Sequence, residues 1–129
     1  MRIEGYFLRT HKIVESSPVV HLSNVTYEKR GTHEGIIRGQ VEFVDSSVLF
    51  WREYVDVEIK EDRLMYVYQY MDSYKKLIFR YDNTGHHKKL GLPTYPNHKH
   101  EGREDNVVSS RAMNLANVLE EIESMIQLP

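Results

Sequence analysis

The sequence predicts an α+β fold in a single domain, 1–129: an antiparallel β-meander of about five strands packed against a C-terminal helix and a candidate N-terminal helix. Two patterns carry this reading. Several runs alternate apolar and polar residues and are joined by short polar turns, which suits antiparallel pairing because parallel strands need long crossovers. Near the C-terminus the apolar spacing changes from 2 to the helical 3.6. A chain of 129 residues is one domain's length, and its 40% hydrophobic and 28% charged content is that of a folded protein.

In chain order, residues 2–15 align Ile3, Phe7 and Val14 roughly on one helical face, with Gly5 opposing a helix and Ser16-Ser17-Pro18 ending it. Val19 to Lys29 is a weaker strand candidate. At 37–43, Ile37, Gly39, Val41 and Phe43 alternate with Arg38, Gln40 and Glu42, and Asp45-Ser46-Ser47 turns the chain. From Val48 to Ile59, Leu49, Trp51, Val55 and Val57 take one face and Arg52, Asp56 and Glu58 the other. Lys60-Glu61-Asp62 precedes a tyrosine-rich strand, Leu64 to Met71, and Asp72-Ser73-Tyr74-Lys75 leads into Leu77–Tyr81. Leu115, Val118, Leu119, Ile122, Met125 and Ile126 form the apolar stripe of the last helix, with Ser110 or Asn114 as its cap.

Composition narrows the chemistry. The absence of cysteine excludes disulfides, thiolate metal sites and a cysteine nucleophile. No apolar run approaches the roughly 18 residues of a membrane span, and the N-terminus has no signal-peptide pattern, so a cytoplasmic location is expected. The net charge of -2 is distributed unevenly: residues 1–74 carry -3 and residues 104–129 carry -4, while 75–103 hold seven basic against two acidic residues. That segment also holds His86, His87, His98 and His100.

The segment 82–108 reads as a long irregular connection, interrupted by Gly85, Gly91, Pro93 and Pro96. Two chemistries fit its histidines. Imidazoles can serve as acid and base on an RNA phosphodiester, with Lys or Arg stabilising the developing charge. Alternatively, His86 or His87 joins His98 and His100 around zinc. Lys88, Lys89 and Lys99 place positive charge there and favour an anion over a cation, so no metal or other cofactor is expected. A third reading is a non-catalytic module that binds RNA or a protein through the same patch.

Other residues add to this set. Asp82 follows Arg80 by two and shares its face if the strand continues, placing a carboxylate beside the guanidinium. Glu53 falls on the apolar face of its strand, which suggests a buried ion pair with Arg38 or Arg80, or a carboxylate orienting Arg80 or a histidine. Tyr66, Tyr68 and Tyr70 share a face and form either a packed stripe or a platform for bases. Arg52, on the face opposite Glu53, is either solvated or a phosphate contact.

The string Leu77-Ile78-Phe79-Arg80-Tyr81-Asp82-Asn83, with His86-His87 and Pro93-Thr94-Tyr95-Pro96-Asn97-His98-Lys99-His100, resembles the TumE family of prokaryotic toxin–antitoxin toxins. Gly35-Ile36-Ile37-Arg38-Gly39 and Phe50-Trp51-Arg52-Glu53-Tyr54 extend the likeness over most of residues 16–126. The stretch Lys88-Lys89-Leu90-Gly91-Leu92 departs from it, standing where the pattern has a shorter proline-containing linker. The resemblance implies a toxin acting on RNA, paired with a DNA-binding antitoxin of winged-helix type. Carried over by motif, its site would comprise Arg80, Asp82, His86, His87, His98, Lys99 and His100, with Arg52 and Glu53 in support; the residues' own chemistry makes Arg52, Tyr68, Lys88 and Lys89 the candidates for holding the substrate. Exposed strand edges would also allow a homodimer.

Overall fold

The computed structural model describes residues 1–128, and of His86 it describes the backbone alone. Helix α1 (Ile3–Ser16) opens the chain. Seven strands follow: β1 (Val20–Lys29), β2 (Glu34–Phe43), β3 (Val48–Asp56), β4 (Asp62–Met71), β5 (Leu77–Asp82), β6 (His98–Glu101) and β7 (Val107–Ser109). A 3-10 helix, Gly85–Leu90, lies between β5 and β6, and α2 (Leu115–Met125) closes the chain. The sheet is one antiparallel meander in sequential order, β1 to β7.

The expectation of about five strands is therefore corrected to seven. The two additional strands, β6 within 82–108 and β7 at its end, fall where an irregular connection was expected. They are only four and three residues long, and β6 is His-Lys-His-Glu, a composition with little strand propensity. Their conformation comes from pairing: β6 completes the hydrogen-bonding edge of β5, and β7 that of β6. Strand β1 gave a weak pattern because most of its side chains are exposed.

Both helices cover the same face of the sheet. Helix α1 buries Ile3, Tyr6, Thr10 and Val14 at helical spacing, and α2 buries Leu115, Val118, Leu119 and Ile122. The Asn114 side chain caps α2 by accepting the Asn117 N–H at 2.8 Å. Beneath the helices lies a row of directly paired residues, Gly39, Trp51, Tyr68, Tyr81 and Lys99. A Cβ on Gly39 would meet the Trp51 ring at 2.3 Å, so only glycine lets the indole lie across β2.

One carboxylate sits in this core. Glu53, paired with Ile37 and Tyr66, is fully buried and accepts hydrogen bonds from the hydroxyls of Tyr6 and, at 3.0 Å, Tyr68. Its partners are thus phenols, not the expected Arg38 or Arg80. Burial pushes the Glu53 carboxyl above its usual range, and the two phenols together with the charges of Arg63 and Arg9 offset this only in part. The same desolvation holds the Tyr68 phenol well above 10. Because the folded-state value is raised, the stability contributed by protonated Glu53 is whole below the unfolded value near ~4.3 and is lost as pH rises through the folded one.

Glu53→Gln, which keeps the shape and removes the charge, is therefore expected to melt at a higher temperature than the wild type at pH 7, the gap closing as pH falls toward about 4. Parallel pH dependences for the two proteins would contradict this assignment. Glu53→Ala should lose about 2–4 kcal/mol in denaturant titrations, because it strands two buried hydroxyls.

Candidate functional site

The register of the strands assembles the site on the face of the sheet away from the helices. In an antiparallel ladder, directly opposed residues point the same way. Asp82 opposes His98, and Arg80 opposes His100, so these four side chains form a compact quartet across β5 and β6. The 3-10 helix then folds back over them and lays the His87 ring against both imidazoles, with centroids 4.7 Å from His98 and 5.2 Å from His100.

Asp82 is the hub of the quartet. One carboxylate oxygen takes His98 Nε2 at 2.8 Å and the backbone N–H and hydroxyl of Thr84 at 3.0 and 2.9 Å. The other faces Arg80 Nε at 3.2 Å and His100 Nε2 at 3.5 Å. Burying a charge is costly unless it is paired and hydrogen-bonded, and Asp82 has both forms of compensation.

The backbone sets the histidine tautomers. His98 Nδ1 lies 2.9 Å from the Pro96 carbonyl and His100 Nδ1 2.7 Å from the Glu104 carbonyl. A carbonyl only accepts, so both Nδ1 atoms carry hydrogen. The two Nε2 atoms then face each other at 3.1 Å. Arg80 Nη2, which only donates, lies 3.1 Å from His100 Nε2 and makes that nitrogen the acceptor. His98 Nε2 is therefore the donor side of this contact, and Asp82 Oδ1, at 2.8 Å, is its nearer acceptor. Arg80 is itself held by Gln69 and Glu104, the latter at 2.7 Å.

Accessibility separates the members. His98 and His100 are 1% exposed, whereas the Arg80 side chain is 23% exposed and His87 is half-buried. Lys88 and Lys89 are exposed on the 3-10 helix beside them. One nitrogen from each of His87, His98 and His100 lies within 4.8 Å of the other two, close enough for a metal ion to draw all three together.

Arg80, Asp82, His87, His98 and His100 thus come together, and the side chain of His86 lies outside the described residues. Lys99 does not join them. As the middle residue of His-Lys-His it points to the helix face, where its Nζ meets Glu121 at 3.3 Å and sits over the Tyr81 ring at 5.0 Å. Tyr68 is buried under the helices on Glu53, so it offers no ring face to a base. Glu53 itself lies on that side, away from Arg80 and the histidines. Arg52 is exposed on the open face, in the same cross-strand row as Asp82.

The sequence reading missed Thr84, Gln69 and Glu104. Asp82-Asn83-Thr84 carries a signal for the first, since Asp commonly accepts from the backbone two residues on. Glu104 has no such signal, because it reaches Arg80 only through the turn between β6 and β7.

A small sheet with a buried Asp–His–Arg cluster on its open face and helices on the other defines the general class of this protein. The family model described as Toxin TumE matches residues 10–126, and the chain belongs to that family. It is accordingly the toxin component of a toxin–antitoxin system, with an antitoxin as partner. No match was found among curated proteins or solved structures. No helix among the described residues is long and apolar enough to cross a membrane.

Asp82→Asn keeps the size of the hub but removes the charge that balances Arg80 and the acceptor strength offered to His98. Denaturant unfolding is expected to show a loss of about 1–3 kcal/mol, and long-range nitrogen NMR of the wild type should show hydrogen on Nδ1 of both His98 and His100. An Nε2-only tautomer at either ring would contradict the proton assignment.

Proposed function

We propose that this toxin is a ribonuclease that needs no metal and cleaves by histidine acid–base chemistry. The observation supporting this most directly is the convergence of three imidazoles, one buried carboxylate and one arginine on a single patch. Cleavage of this kind requires removal of the ribose 2′-hydroxyl proton, attack of that oxygen on phosphorus, and protonation of the departing 5′-oxygen. It ends in a 2′,3′-cyclic phosphate and consumes no co-reactant.

The half-buried His87 is suited to meet the 2′-hydroxyl as base. The 5′-oxygen takes its proton from a second imidazole of the cluster, with Asp82 orienting His98 beside His87. Arg80, with the exposed Lys88 and Lys89 that follow His87 on the 3-10 helix, supplies positive charge for the transition state. On this reading an RNA is the substrate, and the DNA-binding antitoxin inhibits by covering the patch.

A zinc-dependent hydrolase is the second reading, favoured by one specific feature. Ligand histidines usually donate their other ring N–H to a carbonyl or carboxylate, as both His98 and His100 do. Arg80, donating to His100 Nε2, opposes it.

Purified protein is expected to cleave RNA equally well with EDTA and to leave cyclic phosphate ends. His87→Ala and His98→Ala, shown folded by circular dichroism, should each lower the rate at least about a hundredfold. Cleavage surviving both substitutions, or binding without turnover by the wild type, overturns the acid–base reading. Activity abolished by chelator and restored by zinc, with bound zinc lost in His100→Ala, establishes the metal reading instead.

A further inference from the structure

The open face continues beyond the histidines. The cross-strand row of Asp82 runs through Val67 and Arg52 to Arg38, and the row of Arg80 runs through Gln69 and Phe50 to Gln40. Between β1 and β4 these rows line a trough of about 430 Å³ whose wall includes Gln69, the residue that holds Arg80. Cavity and histidine cluster are therefore neighbouring parts of one surface.

Arg38 and Arg52 are directly opposed across β2 and β3. Like charges in that position destabilise a sheet, so the pair has no structural benefit of its own. Among the described residues Arg52 has no acidic partner within 4 Å, and Arg38 has one contact, to Glu28 at 3.3 Å, with its side chain still 50% exposed. Along the two rows Asp82 is the sole carboxylate, and its charge is already taken by Arg80 and His98. Beside Arg52 on β3 and in the row of Arg80, Phe50 is 37% exposed, an apolar ring flanked by polar side chains.

We infer that this trough is the binding track for the single-stranded nucleic acid whose scissile phosphate lies at the histidine cluster. Arg38 and Arg52 contact the flanking phosphates, and Phe50 stacks on a base. The track begins at Gln69, beside Arg80, and Phe50 stands about 10 Å from Arg80, two strand spacings of ~4.8 Å away. Positive charge along a groove, interleaved with an aromatic ring, is the general solution for holding single strands without sequence reading. This inference rests on the RNA-cleaving reading for the identity of the scissile group, but its binding component can be measured separately.

A labelled single-stranded oligodeoxynucleotide, which has no 2′-hydroxyl and cannot be cleaved by this route, isolates binding in fluorescence anisotropy. The slope of log affinity against log salt should fall by about 0.7 for each of Arg38→Gln and Arg52→Gln and by about 1.4 for the double variant. Phe50→Ala should weaken binding at least about fivefold with the slope unmoved. Lys12→Gln, an exposed lysine on α1, should change neither quantity. Arg52→Gln should also melt no lower than the wild type, because it relieves the opposed charges.

An unchanged slope in the folded double variant overturns the track, and if His87→Ala still abolishes cleavage the chemistry stands without it. A reduced slope in a protein that never cleaves RNA upholds the track and rejects the chemistry. Loss of binding to the purified antitoxin, with oligonucleotide affinity intact, would reassign the face to the protein partner and overturn the inference.

Discussion

The pairing of β5 with β6 is the constraint on which the site depends. Asp82 is a buried charge, and a charge removed from water is tolerated only with partners of good geometry. Those partners are supplied by register: His98 directly across, His100 diagonally, Arg80 two residues back on the same strand. A slip of one residue would put Lys99 on the open face and both imidazoles among the core aromatics. The carboxylate and the register therefore enforce each other. Asp82 is uncompensated in any other alignment, and without a partner for Asp82 the four-residue β6 has little reason to form.

The sheet contains a second buried carboxylate, and the contrast explains the division of labour between its faces. Glu53 lies among apolar side chains and is met by phenols, neutral donors that leave it pushed toward the protonated form. Asp82 is met by an arginine and imidazoles and lies beside a cationic surface. The first arrangement ties α1 to β3 and β4 and is buried. The second leaves Arg80 and His87 accessible above fixed, fully paired groups, the form an acid–base site requires. Burial beneath the helices therefore separates Glu53 and Tyr68 from the histidine cluster on the open face.

How much of this was legible in the sequence follows from which forces set each element. The long strands and α2 bury one face against a common core, so period 2 in β2 and β3 and period 3.6 after Leu115 could be read directly. Asp82 beside Arg80 was legible for the same reason, since strand spacing alone places them together. Strands β6 and β7 were not, because their conformation comes from the edge they complete and not from side-chain burial or propensity. Once β6 was read as loop, Lys99 could not be separated from His98 and His100. Local composition counts neighbours in the chain, and alternation on a strand sends adjacent residues to opposite sides.

The same distinction governs the charge. The excess of basic residues at 75–103 marks the right part of the chain, yet Lys99 faces the helices and Arg103 pairs with Asp105 at 3.4 Å, so neither adds to the open face. The cations that do align with the histidines are Arg80, Arg52 and Arg38, from three strands whose surrounding sequence is neutral or acidic in balance for all but Arg80. No running tally of charge along the chain could find that row. It exists only because a meander with sequential pairing turns positions 38, 52 and 82 into neighbours, two strand spacings bringing Arg52 to the hub that Arg80 shares. The electrostatics of this protein are set by cross-strand register, and the opposed arginines are tolerated in the sheet at a cost that an anionic occupant would offset.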